Sequence, residues 1–452
     1  MSSDGLLLKQ GVVMKKLSPI ENAAVERRLL ADLIPFDRNA RTHSKRQIDQ
    51  IAKSIERFGF VNPVLVDDEG RVVAGHGRIE AARRLGLTDV PVLSLGAMSD
   101  ADRRAYIIAD NRLAELAGWD RDLLTSELGE LQSLLDDIDF ECLGFDQGEL
   151  DAMLALGDDD GDAADAVPEV DEAMPVVSRS GDIWMMGRHR LICGDSRDPA
   201  VFDHLMAGKK AAMVFTDPPY NVPVNGHICG LGSVKHDEFA MAAGEMSAAE
   251  FTAFLETVLG NVARASCDGS IHYVCMDWRH MRELLDSGDA VYSEFKNLIV
   301  WNKDNGGMGS FYRSKHELVF AFKNGTATHI NNFGLGEKGR YRTNVWDYAG
   351  VNSLKKDRAE ELAMHPTVKP VAMVADAIRD CSNRGDVILD AFSGSGTTIV
   401  AAEQTGRCGY AVEFDPKYVD VAVRRWQALT GGKAVLDGTS DTFDDSAALA
   451  DL

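Results

Sequence analysis

The tetrapeptide Asp217-Pro218-Pro219-Tyr220 follows an apolar run, 211–216, and combines residue types that suit the activation of an amine. A nucleobase amine is a poor nucleophile because its lone pair is delocalised into the ring. A carboxylate and a rigid backbone carbonyl can accept its two N–H bonds, and proline fixes the backbone without offering an N–H of its own. A tyrosine beside them can stack on a base that has left its duplex. The alternative is an ordinary strand end followed by a proline turn.

A glycine-rich turn later in the chain is the second candidate site. A buried strand is predicted to end at Asp390, the turn covers 391–396, and a helix is predicted over 397–405. Glycine lets the backbone approach a ligand closely. The next predicted strand ends at Glu413, 23 residues after Asp390, and an acid at about this distance holds a ribose diol in dinucleotide folds. Ile399 replaces the third glycine of that fingerprint, which favours a nucleoside without a pyrophosphate.

The elements around both motifs predict a parallel α/β sheet. A strand that ends near Asp195, a helix over 199–207 and a strand that delivers Asp217 follow one another. Ligands in such sheets bind at the carboxyl ends of the strands. We therefore expect Asp195, Asp217, Asp390 and Glu413 at one edge of the sheet.

With these motifs in this order, residues 181–430 resemble an S-adenosylmethionine-dependent DNA amino-methyltransferase of the β group, in which D-P-P-Y precedes the glycine turn. The resemblance implies a Rossmann-like methyltransferase sheet, S-adenosylmethionine as cofactor and double-stranded DNA as substrate. It makes the four residues of D-P-P-Y catalytic, Asp217, Pro218, Pro219 and Tyr220. It assigns cofactor binding to Asp195, Thr367, Lys369, Asp390, Phe392, Gly394, Ser395, Gly396, Thr397 and Glu413. No metal site is predicted, because a sulfonium is already a strong electrophile.

The resemblance also implies finer roles. Glu413 would hold the ribose, Asp195 would face the adenine ring, and Lys369 would reach the carboxylate of the cofactor. D-P-P-Y is commoner in adenine enzymes of this family, whereas N4-cytosine relatives more often begin the motif with serine. We therefore predict methylation of the N6 amine of adenine. An N4-cytosine enzyme, or a DNA-binding regulatory module with an idle methyltransferase half, are the alternatives.

A further glycine motif, Gly75-His76-Gly77-Arg78, follows a predicted hairpin and opens a helix. In this setting the N-terminal part resembles the ParB/sulfiredoxin-like domains, which implies a smaller α+β domain. A helix N-terminus attracts anions, so Gly75, Gly77 and Arg78 are predicted to contact a nucleotide or DNA. His76 stands where sulfiredoxin chemistry requires a cysteine, which disfavours that activity.

The charge distribution helps to divide the chain, which carries a formal charge of −23 over 452 residues. Nine unopposed acidic residues lie in 151–172 and five in 436–452, and without these fourteen the remainder carries −9. The net charge therefore weakens a DNA-binding interpretation without excluding it. The predicted domains are a ParB-like domain over 25–118, a helical extension over 119–156, an acidic linker over 157–178 that is solvated over 157–173, a methyltransferase domain over 179–431 and a solvated acidic tail over 432–452.

Several remaining features concern compartment and partners. The seven cysteines are scattered without a C-x-x-C pair, and no apolar stretch approaches 20 residues. We expect a cytoplasmic protein without a membrane span, and a homodimer is left open. Three polar, basic loops, 221–235, 302–315 and 338–344, are predicted to recognise the target DNA. His316 and Glu317 are predicted to be structural.

Overall fold

The structure is a computed structural model that describes the chain with several gaps. The described residues are 24–96, 99–134, 139–155, 164–168, 175–222, 244–304, 306, 311–333, 341–350 and 368–450. Thr367 and most of the predicted recognition loop 221–235 lie outside them, as do residues 305, 307–310 and 338–340 of the other two loops. The chain divides into two compact units after residue 146. Within the described residues, no helix is long and apolar enough to cross a membrane.

The first unit is a four-stranded mixed sheet with helices. Its elements are β1 (Glu26–Leu29), α1 (Lys45–Phe58), β2 (Val64–Val66), β3 (Val72–Ala74), α2 (His76–Arg84), β4 (Asp89–Ser94), α3 (Asp100–Glu115) and α4 (Arg121–Leu134). The strand order is β1-β4-β2-β3, and only β2 and β4 pair in parallel. Ser44 and Ser99 cap α1 and α3 by accepting backbone N–H groups. The predicted α+β domain is therefore present.

The second unit contains a ten-stranded sheet. Its helices are α5 (Gln147–Ala155), α6 (Pro199–Met206), α7 (Ala248–Arg264), α8 (Met281–Val291), α9 (Val371–Cys381), α10 (Thr397–Gln404), α11 (Pro416–Thr430) and α12 (Phe443–Ala450). Its strands are β5 (Ile183–Met186), β6 (His189–Cys193), β7 (Ala211–Thr216), β8 (Ser266–Met276), β9 (Glu294–Asn302), β10 (His316–Lys323), β11 (Val345–Asp347), β12 (Val387–Asp390), β13 (Cys408–Glu413) and β14 (Val435–Leu436).

The strand order is β11-β9-β10-β8-β7-β12-β13-β6-β5-β14, and its centre, β8-β7-β12-β13-β6, is parallel throughout. Each central strand is buried on both faces. In β7, Val214 packs with α7 on one side, while Met213 and Phe215 pack with α9 on the other. Near-continuous apolar runs are typical of such doubly covered strands. The carboxyl ends of β6, β7, β12 and β13 meet at one edge, as the Rossmann-like prediction requires.

Helix α5 is fastened to the second unit by a buried ion pair. Asp151 accepts hydrogen bonds from Arg407 at 2.7 and 2.9 Å and from Arg384 at 3.0 Å. The side chains of Asp151 and Arg407 are both 0% exposed. The last part of the predicted helical extension, α5, is thus packed within the second unit.

Parts of the predicted acidic linker are packed against the second unit. The carbonyl of Ala164 accepts from Arg425 at 2.8 Å, and Asp165 accepts the backbone N–H of Val371 at the start of α9, also at 2.8 Å. A carboxylate stabilises a helix N-terminus because free N–H groups and the helix dipole converge there. The prediction of a solvated segment over 157–173 is therefore wrong for Ala164 and Asp165. Further along the acidic linker, the backbone N–H groups of Val177 and Ser178 donate to Asp420.

The prediction of a solvated tail after Gly431 is also wrong. Strand β14 pairs antiparallel with β5, and Phe443 at the start of α12 is 2% exposed. The Phe443 ring meets that of Trp184 edge-to-face at 5.2 Å. Ala434, Leu436 and Phe443 pack into the core beside β5, while the acidic residues described in this segment are exposed: Asp437, Asp441, Asp444 and Asp445.

Candidate active site

The D-P-P-Y segment leaves the central strand β7 at the carboxyl edge of the sheet. Asp217 directly follows Thr216, the last residue of β7, and its side chain is partly buried, 23% exposed. Asp217 Oδ1 accepts the hydroxyl of Tyr220 at 2.7 Å. Tyr220 is itself partly buried and packs against apolar residues of both core clusters. The four residues thus form a compact corner and not an extended loop.

Asp390 joins this corner to the glycine turn. Its Oδ1 accepts the hydroxyl of Thr216 at 3.0 Å and the N–H of Phe392 at 3.0 Å, and its Oδ2 accepts the hydroxyl of Thr398 at 2.7 Å. The Thr216 hydroxyl in turn accepts the N–H of Ala391 at 3.2 Å. Asp390 is 4% exposed, and burial raises its pKa to about 6. Its carboxylate therefore fixes the geometry of both motifs.

The glycine turn itself depends on two glycines for different reasons. Gly394 has φ +51°, and within the described part of the chain no atom beyond its chain neighbours lies within 4 Å of the place a Cβ would take, so this face of the turn is open there. Gly396 has φ +83°, and a Cβ there would lie 2.9 Å from the Cβ of Ala422 on α11. Between them, Ser395 is held by Arg425, which donates to its carbonyl at 3.2 Å.

Glu413, at the end of β13, faces the turn. Its Oε2 accepts the N–H of Gly394 at 2.7 Å and its Oε1 accepts the N–H of Asp415 at 2.9 Å. Burial raises the pKa of Glu413 to about 7. Each carboxylate oxygen can accept a second hydrogen bond, so Glu413 can still receive two donors.

A cluster of charges surrounds Asp217. The ammonium of Lys369 donates to Asp217 Oδ2 at 2.5 Å and lies 3.2 Å from Glu317 Oε2, and Lys303 donates to Glu317 Oε1. Burial raises the pKa of Asp217, Lys369 opposes the rise, and Glu317 adds to it. Burial also works against ionisation of Glu317, but Lys369 and Lys303 hold its pKa down to about 2. The prediction that Glu317 is structural did not include this cluster, because Glu317, on β10, is far from D-P-P-Y in the sequence.

Most sequence-predicted site residues lie at this edge, although some have unexpected partners. Asp195 follows β6 and forms a two-pronged ion pair with Arg197, at 2.6 to 3.0 Å. Lys369 contacts the D-P-P-Y corner. Thr397 opens α10, and its hydroxyl accepts from Arg425 at 3.2 Å. Arg425 had no motif to mark it in the sequence.

Arg342, in the predicted recognition loop 338–344, is engaged within the protein. Arg342 donates to Asp380 at 2.9 Å, to Asp376 at 3.3 Å and to the hydroxyl of Tyr348 at 3.0 Å. Its guanidinium also lies 5.0 Å from the ring of Trp346. The residue ties the segment around β11 to α9, and recognition of DNA by this loop stays a prediction.

In the first unit, residues at the N-terminus of α2 also make contacts within the protein. Gly75 has φ +103° and no side chain caps the helix. Arg78 donates to the carbonyl of Asn62 at 3.0 Å, and Gly77 packs against His43 and Ile51. His76 Nε2 is buried with no hydrogen-bond partner in the described part of the chain. The proposed contact of Gly75, Gly77 and Arg78 with a nucleotide or DNA stays a prediction.

Three family models match the chain. Residues 211–424 match the N6/N4 family described as DNA methylase. Residues 16–111 match the ParB N-terminal domain, and residues 122–180 match the ParB-methyltransferase HTH domain.

Individual proteins are similar to one part or the other. The chain is 43% identical over 84 residues to the ParB-like nuclease domain-containing protein YnaK of Escherichia coli (strain K12), covering 19% of this chain and 97% of YnaK. It is 26% identical over 238 residues to the DNA adenine methyltransferase YhdJ of the same organism, covering 47% of this chain and 75% of YhdJ. TTHA0409 of Thermus thermophilus, solved with S-adenosylmethionine, is 22% identical with a TM-score of 0.37, covering 56% of this chain and 100% of that one.

The fold, the site and the family matches define the second unit as a DNA methylase domain. The chain therefore carries a DNA methylase domain of the N6/N4 family over residues 211–424, with a ParB N-terminal domain ahead of it.

Proposed function

We propose that the protein transfers a methyl group from S-adenosylmethionine to the N6 amine of an adenine that has been flipped out of double-stranded DNA. The observation that carries this proposal is the Asp217 carboxylate at the carboxyl edge of the sheet, linked through Thr216 and Asp390 to an open glycine turn. An amine acceptor and a nucleoside site are thereby held next to each other.

The glycine turn fits the cofactor. Ser393 Oγ is buried and has no hydrogen-bond partner among the described residues, which leaves a donor and acceptor for a ligand. Glu413 keeps acceptor capacity for the two hydroxyls of a ribose, and Gly394 offers no side chain to obstruct the approach. Asp195, Phe392, Ser395, Gly396 and Thr397 would complete the surroundings. S-adenosylmethionine supplies an electrophilic methyl group when it is bound here.

On the base side, the chain's own groups orient the amine. Asp217 and the carbonyl of Pro218 accept its two N–H bonds, which directs the lone pair away from the ring. Pro219 stiffens the corner. Tyr220 offers the face of its ring to the flipped base, and the ammonium of Lys369 lies 5.6 Å from the centre of that ring. Positioning of this kind can supply much of the rate acceleration. The Asp217 carboxylate is also placed to take the proton that the amine loses.

Two observations support adenine as the base. The motif begins with aspartate, and YhdJ, a relative over the methylase domain, is named a DNA adenine methyltransferase.

Outside the site, Phe311 and Tyr312 are 87% and 80% exposed and pair edge-to-face at 4.5 Å, which suits contact with nucleic acid bases.

Modification of DNA by the purified full chain tests the proposal. Duplex DNA incubated with S-adenosylmethionine is digested, and its nucleosides are separated and identified by mass spectrometry. N6-methyladenine is the expected product, with none from Asp217→Ala, which should still bind the cofactor. N4-methylcytosine in its place would reassign the base. The absence of either product from the wild type would favour a regulatory DNA-binding protein with an idle methylase domain.

A further inference from the structure

Lys369 lies against the base-binding corner, whereas the family resemblance assigns it to the carboxylate of the cofactor. Its ammonium contacts Asp217 Oδ2 at 2.5 Å and the hydroxyl of Tyr220 at 3.3 Å. The side chain is only 5% exposed, so this position is enclosed and is not one arrangement of a mobile surface lysine.

We propose that Lys369 is a positioning residue for Asp217, and not a ligand of the cofactor's carboxylate, and that Glu317 holds its ammonium in place. The inference rests on the proposed function, because Asp217 acts as an amine acceptor only if a base is methylated.

The physical reason is that an ionised Asp217 accepts an N–H bond more strongly than a protonated one and can take up a proton, while its partly buried position favours the protonated form. An opposite charge in contact restores the ionised form. Lys369 is such a charge, at 2.5 Å. Among the described residues that interact with Asp217, Tyr220, Cys275, Glu317 and Asp390 carry no positive charge. Without Lys369, Asp217 would therefore face only neutral or acidic neighbours among these.

Glu317 gives the ammonium a second anionic partner. Glu317 Oε2 lies 3.2 Å from the Lys369 nitrogen, while its Oε1 is taken by Lys303. Among the described residues, Asp217 and Glu317 thus share the ammonium of Lys369, and Lys303 contacts Glu317. When an incoming amine shares the Asp217 carboxylate, Glu317 keeps Lys369 beside it, so that the acceptor keeps its counter-ion and its orientation.

The test compares five variants of the full chain with the wild type: Lys369→Met, Lys369→Arg, Glu317→Gln, Glu317→Asp and, as a matched control, Lys296→Met. Lys296 pairs with Glu294 on β9, where the two side chains are exposed by 31% and 49%. Two quantities are measured: the methylation rate at saturating DNA as a function of pH, and the dissociation constant of S-adenosylmethionine by calorimetry.

In Lys369→Met, the acidic limb of the pH–rate profile should move up by about one to three pH units, because Asp217 loses its counter-ion. The dissociation constant of S-adenosylmethionine should stay within about twofold of the wild-type value, well below the tenfold change that corresponds to 1.4 kcal/mol. Lys369→Arg should keep the acidic limb of the wild type, since it keeps the charge. Glu317→Gln should lower kcat by about tenfold, or 1.4 kcal/mol, with cofactor affinity unchanged, and Glu317→Asp should restore part of it.

Two results would overturn the proposal. If Lys369→Met weakens cofactor binding about tenfold or more and leaves the acidic limb in place, Lys369 serves the cofactor. If Glu317→Gln keeps the wild-type kcat, Glu317 does not hold the ammonium, and this second variant decides the matter should Lys369→Met fail to fold. A wild type that methylates no DNA at any pH refutes the proposed function itself, which is a different outcome from either.

Discussion

Substitution of Gly396 by alanine tests two reasons for glycine in the glycine turn, its positive φ and its close contact with Ala422. The new Cβ would lie 2.9 Å from the Cβ of Ala422, closer than such atoms approach, and the residue would be held at φ +83°. The left-handed backbone costs a residue with a Cβ about 1–2 kcal/mol. Overpacking costs about 1–3 kcal/mol more, so the free energy of unfolding should fall by about 2–5 kcal/mol.

Gly394→Ala is the matched control within the same turn. Its φ is also positive, at +51°, but beyond its chain neighbours a Cβ would meet no atom of the described residues within 4 Å. Only the backbone cost of about 1–2 kcal/mol should appear in its stability. Its Cβ would instead project into the open face proposed for the cofactor, so Gly394→Ala should lose affinity for S-adenosylmethionine out of proportion to its lost stability.

Urea unfolding followed by tryptophan fluorescence measures both variants, and a third substitution tests the clash directly. Ala422→Gly alone should cost about 1 kcal/mol, because glycine is unfavourable within a helix. In the double variant Gly396→Ala/Ala422→Gly, the 2.9 Å contact is gone and the Cα of residue 422 remains at 3.3 Å. The costs of the two single variants should therefore sum to up to about 1–3 kcal/mol more than is measured for the double variant. Strictly additive costs would refute the reasoning, since the contact with Ala422 would then contribute nothing.

Three other predictions concern charge and chain boundaries. Burial raises the pKa of Glu413 from its ordinary value of 4.5 to about 7, so between pH 4.5 and 7 the folded state holds more protons than the unfolded state. The free energy of unfolding should therefore fall as pH rises through that window. A ribose that donates to the ionised carboxylate should therefore bind more tightly as pH rises towards 7, and calorimetry should find no such dependence in Glu413→Gln. Asp151→Asn should cost about 3–5 kcal/mol in urea unfolding, because it leaves a buried arginine without its carboxylate, against about 1 kcal/mol or less for the exposed Glu294→Gln; equal losses would contradict this. A fragment of residues 147–452 should bind S-adenosylmethionine as the full chain does, whereas 175–435 should bind it more weakly because the contacts of 164–168 and of α12 are missing; equal affinities would show that these contacts are dispensable.

Motifs with strong local signals were predictable from the sequence. The strands that deliver Asp217, Asp390 and Glu413 are apolar runs that end in an acid, and the structure places all three at one sheet edge. The Ser99 cap of α3 is a signal of the same local kind, since its hydrogen bond to the N–H of Asp102 is formed within four residues. Local pattern and tertiary position agree in these cases.

Contacts between distant segments could not be predicted in this way. Glu317 reaches the site only because β10 pairs antiparallel with β8, next to the central strand. Arg342 appeared to belong to a basic loop, but its partners Asp376 and Asp380 lie on a helix 34 and 38 residues later. Acidic composition suggested solvation for Asp165, whereas its carboxylate is used to cap a helix. The sign of a charge is visible in sequence, but the partner that neutralises it is not.

The position of Asp390 has a thermodynamic consequence for the two ligands. One buried carboxylate holds Thr216, next to the amine acceptor, and Thr398, at the start of the helix after the glycine turn. A cofactor that draws the turn toward itself therefore alters the corner that receives the base, and a captured base acts on the turn in the same way. Such linkage is reciprocal: by whatever factor the cofactor changes the affinity for the base, the base changes the affinity for the cofactor.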